Sequence, residues 1–142
     1  MLVSQILRTK GDSVFTIKPG DLIGAVAEFL LSKRVGALVV LEGDKVAGIV
    51  SERDVVRAVA TQGSAALKRP VSEFMTSNVL TAAPGETIDA LLSRMSDRRI
   101  RHLPVCQGGR LVGIVSIGDL VKWKISEVEA EADGLKAYIA AS

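Results

Sequence analysis

The stretch GIVSERDVVR at residues 48–57 returns 65 positions later as GIVSIGDLVK at residues 113–122. The match extends well beyond these segments: residues 14–57 laid over 79–122 need no gap and agree at 16 of 44 positions. The identities include Thr16/Thr81, Pro19-Gly20/Pro84-Gly85, Gly43/Gly108, Gly48/Gly113, Ser51/Ser116 and Asp54/Asp119. The run-ins repeat as well, VSQIL at 3–7 resembling VSEFM at 71–75, although the first copy has three more residues before its strand. A duplicated chain must find one local fold that works twice and a way for the copies to cover each other. Two copies point to a closed pair rather than a solenoid. This divides the chain into repeat 1 at 1–62, repeat 2 at 63–124 and a C-terminal helix at 125–142.

Each copy follows the same pattern. VFTI and VLTA are short strand candidates stopped by Pro-Gly. A helix follows, with Asp21 or Thr87 placed to cap it; Leu22, Val26, Phe29 and Leu30, or Ile88, Leu91, Leu92 and Met95, give it one apolar face. ALVVL and HLPVC are buried-strand candidates, each joined through a glycine turn to KVAGIVS or RLVGIVS as a hairpin. A last helix starts at Glu52 or Ile117. The expected unit is α/β, in the order strand, helix, strand, strand, helix. One copy is too small to bury both faces of its sheet, and two packed sheet to sheet solve that problem.

Both halves resemble CBS domains, named for cystathionine beta-synthase, and the chain resembles a stand-alone bacterial pair of them. GALVVLEGDKVAGIVSERDVVR and RIRHLPVCQGGRLVGIVSIGDLVK carry the resemblance, which spans about residues 1–124. It implies two pseudo-twofold-related CBS repeats with ligand sites in the cleft between them.

Composition removes other classes. A net charge of +2 gives no general attraction to DNA or a membrane surface, and 4% aromatic residues leave little for base stacking. One cysteine and one histidine do not make a zinc site. No secretory leader pattern and no long apolar run is present, so the reading is a soluble cytoplasmic protein. Neither G-x-x-x-x-G-K-[ST] nor G-x-G-x-x-G occurs, and a single His gives no Ser/His/Asp grouping. Cys106, in an apolar strand, reads as a core residue. No enzyme is indicated, and no cofactor is required.

Ser51-x-x-Asp54 and Ser116-x-x-Asp119 sit where a strand gives way to a helix, and two readings apply. As a capping box, each Ser and Asp ties off the helix start, worth ~1 kcal/mol. As a binding motif, the helix N-terminus suits a phosphate, while an Asp carboxylate matches the paired hydroxyls of a ribose. Gly48 and Gly113 would then let a ligand approach the backbone. The resemblance implies the second role: Asp on ribose, Ser on phosphate, with Thr16 or Thr81 and the backbone at Ile49 or Ile114 bordering the base.

The copies differ at Gly36-Ala37, which align with Arg101-His102. In the resembled family basic residues there contact phosphates, so the second site is expected to have the better phosphate end. Arg94, Arg98, Arg99 and Arg101 crowd into RMSDRRIR, and Arg99 has an identical counterpart in Arg34. For Arg94 and Arg98 a solvated helix face is the alternative. Arg53 replaces Gly118 inside the first motif and is placed to reach the shared cleft.

The implied function is regulatory: an adenine nucleotide, AMP most simply and ADP, ATP or NAD(H) otherwise, binds between the repeats and changes affinity for an effector protein whose identity the sequence does not carry. A module with empty sites, its Ser and Asp kept as caps, is the competing reading. A homodimer is expected from the resemblance. Val121, Ile125, Val128, Ala132, Leu135 and Ile139 add an a/d seam interrupted by Gly134.

Overall fold

The structure, a computed structural model, describes residues 1–11 and 14–141. In chain order it contains α1 (Val3–Lys10), β1 (Thr16–Ile17), α2 (Ile23–Lys33), β2 (Ala37–Glu42), β3 (Lys45–Ser51) and α3 (Glu52–Gln62). Two 3-10 turns, Gly63–Lys68 and Val71–Glu73, lead to α4 (Ile88–Arg98), β4 (His102–Gln107), β5 (Arg110–Ser116) and α5 (Ile117–Ala141).

In the first unit β2 lies between a parallel β1 and an antiparallel β3. In the second, β4 and β5 form the matching hairpin with the same one-residue irregularity, at Val105/Cys106 instead of Val40/Leu41. Glycine is required at both hairpin turns, where Gly43 has φ 63°, and Gly108 and Gly109 have φ 59° and 80°. The sheets meet through β3 and β5.

The expected strand VLTA is reduced to one parallel bridge, Ala82 to Val105. Ala82 donates to Pro104 O at 2.9 Å and accepts from Cys106 N at 2.8 Å. The next rung needs an N–H at residue 104, which proline lacks, so the ladder stops. Val39 stands at that position in the first unit and pairs with Thr16.

Each sheet is covered by its own two helices and by the run-in of the other repeat. Val3, Ile6 and Leu7 of α1 are buried with Leu91, Met95, Leu103, Val105, Val115 and Leu120 of the second unit. Val71, with Phe74 and Met75 beside it, packs instead with Ile23, Val26, Leu30, Leu38, Val40 and Val50 of the first. The exchange is symmetric in its hydrogen bonds: Val3 N donates to Glu86 O at 2.9 Å, and Val71 N to Asp21 O at 2.7 Å. The turn at Gly63–Lys68 packs on α2 and α3 and so delivers Val71 back to the first sheet. Residues 3–10, assigned by sequence to repeat 1, thus complete the core of the second unit.

Thr87 caps α4 as expected, accepting from Ala90 N at 3.1 Å. Asp21 does not cap α2. Leu22 holds that position, and Asp21 closes the Pro-Gly turn by accepting from Lys18 N at 2.8 Å. Glu86 does the same for Ala83 N. The helix of the second motif and the C-terminal helix are one element, α5. Among the described residues no helix is long and apolar enough to cross a membrane.

Candidate functional site

Ser51 and Asp54 form a complete capping box at α3. Asp54 N donates to Ser51 Oγ at 3.3 Å, and Ser51 N donates to Asp54 Oδ2 at 2.9 Å. Ser116 and Asp119 repeat the geometry at 3.1 and 2.9 Å. The capping reading is therefore physically realised at both motifs, but it uses only one carboxylate oxygen of Asp54. Among the described residues the other, Oδ1, meets only Arg57 Nη1 at 3.4 Å, and that Arg57 side chain is 66% exposed. An exposed pair of this kind is weak and easily exchanged for a ligand.

Asp54 opens onto a cleft of about 570 Å³ between the two units, within the size range of small-molecule sites. The first unit contributes Gly36, Ala37, Ile49, Ser51, Glu52, Arg53, Asp54 and Arg57. The second repeat contributes Thr76, Asn78, Val79 and Leu80 from its run-in and Arg98, Arg99, Ile100, Arg101 and His102 from the α4–β4 corner. Five arginines against Glu52 and Asp54 make the lining basic. Arg99 ends α4 in the left-handed conformation, φ 54°, and Arg34 does so for α2. A non-glycine residue there carries ~1 kcal/mol of strain. At Arg99 this turn places the residue on the cleft wall.

His102 lies where the motifs approach each other. Burial holds its imidazole below the usual histidine range, and the Lys10 and Arg101 charges push the same way, against Asp119 and Glu52. It is accordingly neutral at physiological pH. Cys106 is pushed up by burial, as suits an inert thiol.

The structure brings nine sequence-derived candidates into one cleft: Gly36, Ala37, Ile49, Ser51, Arg53, Asp54, Arg99, Arg101 and His102. Five lie elsewhere. Thr16 is in β1 against Val39, and Thr81 offers its carbonyl to Arg94 at 3.2 Å. Ile114, Ser116 and Asp119 gather instead around Lys10, whose Nζ is 3.0 Å from Ile114 O and 2.6 Å from Asp119 Oδ2. Burial opposes ionisation of Asp119, but Lys10 and the Ser116 N–H outweigh it and hold the carboxyl below its usual range. Arg101 and His102, expected to favour the second motif, line the cleft of the first.

Of the two open arginines, Arg94 is bound to Glu86 and is structural, while Arg98 is on the cleft wall. One further expectation changes: Gly48 and Gly113 make room for protein rather than ligand. A β-carbon on Gly48 would come 2.6 Å from Met75 Sδ, and one on Gly113 would come 2.5 Å from Leu7 Cδ2. Ile49 lines the cleft with both backbone groups paired to Thr76, at 3.0 and 2.9 Å. Sequence reasoning missed Glu52, Arg57, Thr76, Asn78, Val79, Leu80 and Ile100. For Thr76 and Asn78 the matching run-ins were the available signal, because each packs on the opposite unit.

The sequence model of the CBS domain matches residues 3–61 and 71–126. The fold is that of solved CBS-domain proteins. A CBS-domain-containing protein from Agrobacterium tumefaciens is 44% identical with a TM-score of 0.85, over 87% of this chain and 99% of that one. The CBS domain pair of the protein MJ0100, solved with 5′-methylthioadenosine and S-adenosyl-L-methionine, is 28% identical with a TM-score of 0.80, over 89% and 98%. A CBS-domain protein from Pyrobaculum aerophilum, solved with AMP, is 28% identical with a TM-score of 0.75, over 84% and 89%. Two packed α/β repeats with a cleft between them define a tandem-repeat fold. The chain belongs to the CBS-domain family, and both of its repeats are CBS domains.

Proposed function

We propose that the chain is a regulatory module that senses an adenosine-containing ligand, AMP most simply, in the cleft between its repeats. The observation that supports this most is the division of labour at Asp54: Oδ2 holds the cap, Oδ1 is left to the exposed Arg57, and the residue lines a cleft whose walls carry five arginines. Ribose hydroxyls replace Arg57 at Oδ1, and Arg53, Arg99 and Arg101, with His102, receive the phosphate. Charge-assisted contacts of that kind give orientation as well as affinity. The Pyrobaculum protein with AMP and the MJ0100 pair with its two adenosine ligands support the ligand class. ADP, ATP and NAD(H) share the adenosine end and extend the phosphate end. The role is binding and response rather than catalysis, the response being read by an effector protein.

We also propose that two chains associate through α5. Val121, Ile125, Val128 and Leu135 fall on one seam of the helix and are 43%, 54%, 50% and 60% exposed. A self-complementary seam is covered most simply by a second copy of the same helix.

The test is calorimetry of nucleotide-stripped protein against adenosine, AMP, ADP, ATP, NAD(H), S-adenosylmethionine and a DNA duplex. The expected result is binding of the adenosine phosphates, weaker binding of adenosine, and none of the duplex. No heat with any adenosine compound would leave Ser51 and Asp54 as caps in an interaction module.

A further inference from the structure

The second motif holds a cation of its own. Lys10 Nζ sits 2.6 Å from Asp119 Oδ2 and 3.0 Å from Ile114 O. These two acceptors correspond to Asp54 and Ile49 O of the first motif. We propose that Lys10 is a resident plug of the second motif, so that each chain takes a single nucleotide, in the Ser51–Asp54 cleft. This rests on the nucleotide reading above and adds which of the two motifs is used.

Three observations carry it. First, Lys10 is held in place by its helix. Val3, Ile6 and Leu7 of α1 are buried in the second core, and Val3 N and Ser4 N are tied to Glu86 O and Pro84 O at 2.9 Å each. The ammonium is thus presented by a locked element, from a side chain that is 36% exposed. Second, the position is asymmetric. Aligning VSQIL with VSEFM puts Asn78, a neutral amide that lines the open cleft, where the other run-in has Lys10. The two run-ins also differ in path. Residues 71–73 form one short turn and the chain then pairs Thr76 with Ile49, whereas α1 stays helical through Lys10 and carries it to Ile114. Third, the charge is already satisfied. The Lys10 ammonium bonds the same Asp119 Oδ2 that accepts from Ser116 N, and at Ile114 O it takes the place that Thr76 N takes at Ile49 O. A nucleotide at the second motif therefore meets a carboxylate whose charge a resident cation already compensates, in a charge-assisted bond. At the first motif the carboxylate is met by the 66% exposed Arg57 side chain.

The experiment counts AMP per chain by calorimetry on the full-length, nucleotide-stripped protein and its Lys10 variants. Lys10→Met keeps length and helical character without the charge; Lys10→Arg keeps the charge. The expected stoichiometries are one for the native chain, one for Lys10→Arg, and two for Lys10→Met. In the double variant Lys10→Met/Asp119→Asn the count returns to one. Circular dichroism of each variant checks that α1 and the fold are retained. Two AMP per native chain, or a count of one in a folded Lys10→Met, would overturn the plug while leaving the nucleotide reading intact. No AMP bound by any variant would overturn the nucleotide reading and the plug together.

Discussion

Gly36 lies against His102: a β-carbon on Gly36 would come 3.4 Å from the imidazole Nε2. The two residues sit at aligned corners of the two units, one at the mouth of β2 and one at the start of β4. At this junction the second repeat supplies a large side chain and the first packs a glycine beside it.

That ring gives the binding a pH signature. Its folded pKa is depressed below 6.5, chiefly by burial, with Lys10 and Arg101 adding to the effect and Asp119 and Glu52 opposing it. In the ligand-free protein the unfolded state binds more protons in that window. His102's contribution to stability is therefore complete above about pH 6.5 and is lost as pH falls through the folded value. A bound phosphate favours the imidazolium, so nucleotide affinity moves the other way and rises as pH drops from 7.5 towards 6. Calorimetry at pH 6 in buffers of different ionisation enthalpy should show more proton uptake on AMP binding by the native protein than by His102→Gln. Equal uptake would place His102 outside the phosphate's reach.

The exchanged run-ins predict unequal costs at two aligned glycines. A methyl on Gly48 meets Met75 Sδ at 2.6 Å and the Thr76 carbonyl at 2.8 Å. The carbonyl belongs to a hydrogen-bonded bridge and cannot easily retreat. Gly48→Ala should therefore cost about 1–3 kcal/mol in denaturant melts. At Gly113 the nearest atoms are the flexible tips of Leu7, at 2.5 and 3.1 Å, so Gly113→Ala should cost less. A reversed order would mean that the run-ins do not pack as described.

For α5, sedimentation of the full chain at tens of micromolar should give a dimer, and truncation after Trp123 should weaken it. Gly134 is in mid-helix with nothing within 4 Å of an added β-carbon, so Gly134→Ala should stabilise the helix by ~1 kcal/mol and tighten the dimer. A truncated chain that dimerises as strongly as the full one would remove α5 from the interface.

The two-unit architecture was legible because a gapless repeat forces it, and the hairpins were legible from their glycine turns. Pro104 shortened the second sheet for a reason visible in one residue, the missing N–H. The exchange of run-ins was not legible: VSQIL and VSEFM carry the same apolar spacing, and either sheet would bury either segment. The connection through Gly63–Lys68 decided it, and that depends on packing with α2 and α3. The same exchange hid the site's asymmetry. Asp54 and Asp119 end the same Gly-Ile-Val-Ser-x-x-Asp motif, and the lysine that pairs with Asp119 lies 109 residues away in the chain.

The most direct test of the account is Asp54→Asn, measured by AMP calorimetry and by ligand-free melting. The amide oxygen of asparagine can still accept from Ser51 N, so the cap at α3 is retained. What is lost is the charged acceptor facing the cleft. A charge-assisted hydrogen bond contributes about 1.5–3 kcal/mol, so AMP affinity should fall roughly ten- to hundredfold. The ligand-free melting temperature should barely move. Native affinity in a variant that melts several degrees lower would show that Asp54 serves the helix alone, and would contradict the account.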